Sequence, residues 1–452
     1  MKRGVVAALS ISLFLHGASI GKFADEASTI LETKSKSSSP YFRTLYKDLF
    51  YVPIWVDENG LTKFGKNFIK EIDNDLTKSP SLPYYSDYIK LKRFLKRKNI
   101  KKLSTKDKID LELKITSLYR KYMNYLIYGG INWRAFDRKI QELRKKYDYK
   151  VAWERYPPVV DSKKLLVESV MRGNLDYALN RAEPKRFKYR QLKKYLIKYL
   201  DIAKKGGWGK VPKTKTLKPG MSSKAILPIK RHLKLVGDIR GCSTDLDSTL
   251  YDQCLAKAVK RFKLRHGLRG NSIIDRQTRK ALNIPASYKA KLIRLNLDRI
   301  KWFWHQEPRV RIELNIPAFR LYFYEGQNLI NTMRVIVGKP DHPTPVFHNV
   351  MRYIVVNPYW KIPESIVKKE MLKHLIKDPY YYERQGKYLH KSWSEDSPRV
   401  DPGKVNWRKY YKNKKHIPYY FMQVPSAKNA LGKIKFLFPK KYSVYINDTP
   451  TK

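Results

Sequence analysis

With 452 residues, 42% of them hydrophobic, the chain has enough apolar material to bury cores in about three domains. Its charge is lopsided: 95 Lys+Arg against 40 Asp+Glu gives a formal net charge of +55, which draws a protein to polyanions such as nucleic acid, anionic lipid headgroups or cell-wall polymers. Nucleic acid is not the expected partner, because no helix-turn-helix, zinc-finger or RNA-binding signature is present. The lysines are scattered through every segment, which fits compositional drift and a generally basic surface.

The first 21 residues, MKRGVVAALSISLFLHGASIG, place Lys2 and Arg3 before an apolar run from Val5 to Leu15, with Gly17, Ser19 and Gly21 after it. This is the layout of a secretory signal peptide. The run is too short to span a bilayer comfortably, and no later segment reaches about 18 uninterrupted apolar residues. The expectation is an exported protein, soluble or attached to the wall, with an uncleaved anchor as the alternative. Residues 22–40 are rich in Ser and Lys and read as a flexible leader.

A helical region follows, taken as 41–215. LTKFGKNFIKEIDNDL sets Leu61, Phe64, Phe68, Ile69 and Ile72 on one face. IDLELKITSLYRKYMNYLIYGGI repeats the pattern and ends at Gly129-Gly130. SKKLLVESVMRG and RQLKKYLIKYLDIAKKGGW each close on Gly. GGWGKVPKTKTLKPG, residues 206–220, reads as a linker or domain edge. A compact unit at 216–286 then shows three short amphipathic helices, with Asp275 suited to cap the third. Residues 287–308 read as a connecting helix. The two cysteines, Cys242 and Cys254, suggest a disulfide in an exported chain. Closing so short a loop contributes about 3 kcal/mol in the chain-entropy account. Two free thiols or a metal pair are the alternatives, and a metal would need more ligands at recognisable spacing.

From about Arg309 the period changes to two. VRIELNIPAFRLYFYE, NLINTMRVIVG and MRYIVVNPYW alternate apolar and polar residues, with EGQN as a turn. PESIVKKEMLKHLIKDPYYYERQG interrupts with helix, and IKFLFP and YSVYI return to strand. His342, His348, His374, His390 and His416 show no i, i+4 pairing and read as surface residues; no metal site is expected.

The stretches RVIVGKPDHPTPVF, VVNPYWKIP, DPYYYERQG, ALGKIKFLFP and VYINDTP, in this order, resemble the periplasmic murein L,D-transpeptidases of the large Gram-negative type. LYDQCLAKAVKRFKLRHGLRGNSIIDRQTRKALNI is similar to their peptidoglycan-binding module. The resemblance implies a multidomain α+β protein: a helical scaffold, a small three-helix peptidoglycan-binding module at 216–286, and a mostly-β catalytic domain at 309–452 with a helical lid insertion at about 361–420. The chemistry it implies is cysteine acyl transfer: a thiolate displaces D-alanine from a tetrapeptide stem, and a second stem's amine takes the acyl group. Peptidoglycan, through its stem peptides and glycan strands, is the implied partner; other wall-synthesis proteins are further candidates, and no cofactor is implied.

Two departures stand out. The strand that carries the family's His-Asp-Thr-Pro base has Asn447 in the His position, and an amide cannot accept and return a proton near neutral pH. The Ser-x-Gly-Cys nucleophile segment is not reached by residue 452, which leaves the catalytic domain incomplete. Neither Cys242 nor Cys254 has that context. No intact catalytic residue is therefore expected. Asn357, Tyr359, Trp360, Gln423, Asn429, Gly432, Asp448 and Thr449 are the substrate-groove candidates that the resemblance implies. Tyr380, Tyr381, Tyr382, Trp393 and Trp407 would belong to the lid, where groove lining and plain packing are equally expected. The reading is a catalytically incompetent family member. Its alternatives are an active enzyme with its remaining segment encoded downstream, and a non-catalytic basic peptidoglycan- or polyanion-binding wall protein.

Overall fold

A computed structural model describes residues 21–147, 152–303, 307–340, 343–413, 416–439 and 444–448. Residues 1–20 of the signal-like segment lie outside them, as do His342 and Thr449. Among the described residues no helix is long and apolar enough to cross a membrane. The described residues form two compact units, one of 21–147 with 155–337, the other of 152–154 with 338–448.

The first unit begins with α1 (Lys22–Lys36), where a flexible leader was expected. Lys22 and Lys36 are exposed, while Ala27, Leu31 and Ser35, spaced four apart, are buried. α2 (Pro40–Asp48) leads to a two-residue-per-strand hairpin, β1 (Val56–Asp57) and β2 (Gly60–Leu61). Thr62 caps α3 (Lys63–Asn74) by accepting from Gly65 N–H, and α3 buries Phe64, Phe68, Ile69 and Ile72. Gly65 lies so close to Trp55 that a Cβ would stand 2.5 Å from its carbonyl oxygen.

α4 (Tyr85–Arg97) precedes α5 (Thr105–Tyr128), the 24-residue axis of this unit. α5 buries Ile109, Ile115, Tyr119, Tyr122 and Met123, and Glu112 on the same helix is fully buried. The Glu112 carboxylate accepts from Ile54, Trp55 and Val56 N–H and from Tyr46 O–H, which fixes the turn before β1. α6 (Trp133–Tyr147), α7 (Ser162–Met171), α8 (Asp176–Ala182) and α9 (Phe187–Lys204) follow.

Residues 206–220, expected as a linker or domain edge, are tied down. Trp208 is 3% exposed and stacks on His232 at 4.0 Å, Val211 N–H donates to Asn283 Oδ1, and Leu217 bridges Ile274. α10 (Ile226–Val236), α11 (Gln253–Arg265) and α12 (Arg276–Leu282) enclose their own core of Ile226, Ile229, Leu233, Leu255, Val259, Phe262 and Leu282. α13 (Ala286–Ile300) runs back along α9 through Tyr189, Leu196, Ala290 and Leu297. At the end of α13, Asp298 accepts from Gly130 N–H, and the Lys301 ammonium donates to Tyr125 O. Gly129, at φ +76°, caps α5 where any Cβ would meet Asp298 at 2.6 Å.

An antiparallel meander closes this unit: β3 (Val310–Asn315), β4 (Arg320–Glu325) and β5 (Asn328–Arg334). Ile312 stands opposite Phe323 and Leu321 opposite Met333. Lys188 of α9 pairs with Glu313 and lies over Tyr324 at 4.5 Å. By their contacts these strands group with the helices of the first unit.

The second unit holds two small sheets, and its core lies against one of them. β6 (Tyr353–Val356) and β7 (Trp360–Lys361) come first. A helical stretch follows: α14 (Glu364–Ile366), a π-turn Val367–Met371 and α15 (Leu372–Lys377). Then come β8 (Lys387–His390), α16 (Trp407–Asn413), β9 (Tyr420–Gln423), β10 (Ile434–Leu437) and β11 (Ile446–Asn447). The strand orders are β11-β10-β6 and β7-β9-β8, all antiparallel. Ile362, Met371, Leu375, Leu389, Trp407 and Phe421 form the core between the helices and the second sheet.

Candidate functional site

The site is built where β6 ends, β10 begins and β11 ends. Two buried amides shape the segment that joins β9 to β10. Gln423, the last residue of β9, accepts from Ala430 N–H with Oε1 and donates from Nε2 to Lys428 O. Asn429, fully buried, donates from Nδ2 to the carbonyls of Pro358, Gln423 and Val424, and its Oδ1 accepts from Leu431 N–H at 2.8 Å. Every polar atom of that amide is used, so the loop has one conformation to hold.

Asn357 sits at φ +50°, an uncommon conformation that Asn tolerates better than bulkier residues, and its N–H donates to Lys433 O at 2.8 Å. Gly432 sits at φ +63°, and a Cβ there would come within 2.7 Å of the Asp448 Cβ. The absence of a side chain at Gly432 lets the end of β11 lie against the start of β10. Together Asn357, Pro425, Ser426, Ala427, Gly432 and Lys433 line a cleft of about 260 Å³.

Asn447 lies opposite Lys435 in the β10–β11 register, half-buried, and its Nδ2 donates to Asp448 O at 2.6 Å. The Lys435 ammonium rests 3.9 Å from the centre of the Tyr445 ring. Burial pushes the Tyr445 phenol up from its ordinary range. No group on β11 can exchange a proton near neutral pH as an imidazole would, since Asn447 is an uncharged amide.

The sequence-derived candidates separate into three sets. Asn357, Gly432, Asn447 and Asp448 converge at the mouth of β10. Gln423 and Asn429 are buried behind the loop and shape the cleft instead of lining it. Tyr359 and Trp360 are half-buried; Trp360 pairs with Gln423 in β7–β9 and packs on the helical core. The cleft residues Pro425, Ser426, Ala427 and Lys433 were not among the candidates. Their only signal is a Pro/Ser/Ala/Lys turn between two strands.

In the lid region, Trp407 and Tyr382 belong to the core, whereas Tyr380 and Tyr381 are exposed and Trp393 rests on Tyr420. His390, expected at the surface, is buried; it follows the core residue Leu389 on β8 and so points to the opposite face, where its Nδ1 bonds to Ser397 O. His416 is exposed and pairs with Glu364. Burial alone would raise the Glu364 carboxyl, but Lys368, the Ile417 N–H and His416 together hold it down to about 2. Both cysteines of the chain are joined in the Cys242–Cys254 disulfide, which fastens the segment before α11 to the helix.

Residues 309–452 match the family described as L,D-transpeptidase catalytic domain, and residues 40–196 match the family described as Scaffold domain. Over 309–452 the chain is similar to the L,D-transpeptidase family. A Haemophilus influenzae protein named "Putative L,D-transpeptidase" is 30% identical over 192 residues, covering 41% of this chain and 37% of that relative. The chain therefore spans well under half the length of the curated relative it matches. The L,D-transpeptidase match takes in the whole cleft, both small sheets of the second unit and the β3–β5 meander. Residues 197–308, with the three-helix core and the disulfide, fall between the two matches.

Proposed function

We propose that the cleft at the mouth of β10 engages the stem peptides of peptidoglycan, and that a polypeptide of these 452 residues binds them without turning them over. The observation that carries this reading is the convergence of Asn357, Gly432, Asn447 and Asp448 inside the region that matches the L,D-transpeptidase catalytic domain. Acyl transfer of this type needs a thiolate and a base beside it. These residues supply two cysteines, both held in a disulfide, and an amide at position 447 where the resemblance puts the base. Export to the periplasm belongs to the same reading. It is supported by the signal-like first 21 residues and by a disulfide, which persists in oxidising compartments. Residues 216–286 would act as the peptidoglycan-binding module.

The test is release of D-alanine from tetrapeptide-stem muropeptides by the purified chain, run beside sedimentation with purified sacculi. Sedimentation without release is expected. Turnover would overturn the non-catalytic part, and failure to sediment would overturn the substrate assignment. A net charge of +55 favours a second reading, a wall protein that binds polyanions by charge alone. Salt separates the two, because exposed charge attraction is screened over about 8 Å at physiological ionic strength.

A further inference from the structure

We propose that the cleft beside β10 is a carboxylate subsite for the free end of a stem peptide, with Lys433 as its charge and Asn357 and Ser426 as its hydrogen-bonding groups. This rests on the substrate reading above and refines it.

Six residues line the cleft, and Lys433 is the only one of them that ionises. Its ammonium, the Asn357 amide and the Ser426 hydroxyl make no side-chain hydrogen bond or ion pair within the protein among the described residues, so all three are free for a ligand. An ammonium, an amide and a hydroxyl lining one cleft suit an anionic oxygen pair: one bond from a charged donor and two from neutral donors, all charge-assisted by the carboxylate. The remaining walls, Pro425, Ala427 and the bare Gly432, are small and mostly apolar. A methyl-sized side chain next to the carboxylate would lie against them without losing solvation of any polar group.

Size narrows the ligand further. Clefts that enclose a drug-sized molecule measure about 300–1,000 Å³, and this one holds about 260 Å³. It takes one end of a peptide, not its middle. The cleft is also held open in advance. Asn429 and Gln423 fix the loop from behind, and the Asn357 N–H to Lys433 O bond fixes the opposite wall. Little ordering cost remains to be met on binding. The opposing charge is Asp448. It packs against Gly432 and is not among the lining residues.

The experiment uses the full 452-residue chain and two synthetic probes: the tetrapeptide L-Ala–γ-D-Glu–meso-diaminopimelate–D-Ala as free acid, and the same peptide with its C-terminal carboxylate amidated. Affinities are measured by calorimetry at low ionic strength. The free acid is expected to bind about five- to tenfold more tightly than the amide. K433Q brings that ratio to about one, and K433R keeps most of it. Lys433 is exposed and holds no other part of the fold, so these variants stay folded. Equal binding of the two probes by the unaltered chain, or an undiminished ratio in K433Q, overturns the subsite while leaving the substrate reading intact. Failure of both probes to bind overturns the substrate reading, and the subsite with it.

Discussion

Asn429 shows how one buried amide can define a site it does not touch. Its side chain reaches four backbone partners, and replacing it with alanine strands those groups in a place that water does not enter. Asn429→Ala should cost about 2–4 kcal/mol of the second unit's stability, read from urea unfolding, and should weaken peptide binding in step. Gly432 is the complementary case. A methyl at φ +63° would be strained and would collide with Asp448 at 2.7 Å. Gly432→Ala should therefore loosen the β10–β11 pairing, visible as faster amide exchange at Asn447, and cost about 1–3 kcal/mol. Asn447 itself offers a clean chemical test. Asn447→His restores a group that titrates near pH 6.5, and NMR should follow that titration. On the proposed non-catalytic reading D-alanine release should stay at background, because Cys242 and Cys254 remain joined in the disulfide and offer no thiolate. Release above background in that variant would mean that the reaction here does not need one.

Between α10 and α12 one device is used twice. Lys230 of α10, fully buried, donates to Asp245 O and Ser248 O and lies 3.5 Å from Asp252, the N-cap of α11. Lys263 of α11, 1% exposed, donates to Asn271 Oδ1 and Ile273 O and lies 3.5 Å from Asp275, the N-cap of α12. Each lysine folds the loop ahead of the next helix and neutralises that helix's cap. Removing one ammonium leaves several buried acceptors and a carboxylate without their partner, so Lys230→Met or Lys263→Met should destabilise this three-helix element by about 3–5 kcal/mol. The check is thermal unfolding compared with a Met substitution at an exposed lysine such as Lys257, which should change little. In the second unit Glu364 ties α14 to the segment before β9. Its folded pKa of about 2 lies below the ordinary 4.5, so its contribution is present above pH 4.5 and is lost as pH falls towards 2. Acid titration should loosen this contact across that window, and Glu364→Gln should remove the pH dependence there.

The helices that were legible, such as α3 and α5, repeat apolar residues at i, i+3 and i+4 over several turns. α1 was not, because its buried stripe consists of Ala27, Leu31 and Ser35 among lysines and serines. The cleft was not, because a loop makes it by closing on three strand ends, and no periodicity records that closure.

At the scale of the whole chain the dominant quantity is charge. With 95 basic residues and 40 acidic ones, most cations can have no acidic partner within the protein. The exposed ion pairs, such as Lys139–Glu142 and Lys205–Asp201, each contribute about 0–1 kcal/mol. The unpaired excess instead acts outward, raising the local concentration of any polyanion. Peptidoglycan carries carboxylates on its stems, so attraction by charge and recognition by the cleft would add in dilute buffer and be hard to tell apart. Their distance dependence differs. The Debye length falls from about 10 Å at 0.1 M salt to about 3 Å at 1 M, which removes the diffuse attraction. Contacts made inside a preformed cleft, or by a folded module, keep their hydrogen bonds and apolar burial. Sacculus binding should therefore fall steeply with added salt and then level off above zero. K433Q should lower the part that remains more than the part that salt removes, since it takes away one charge of 55 but a principal contact of the cleft. Binding that vanishes entirely by 1 M salt, with K433Q following the unaltered chain throughout, would leave charge as the whole of the interaction.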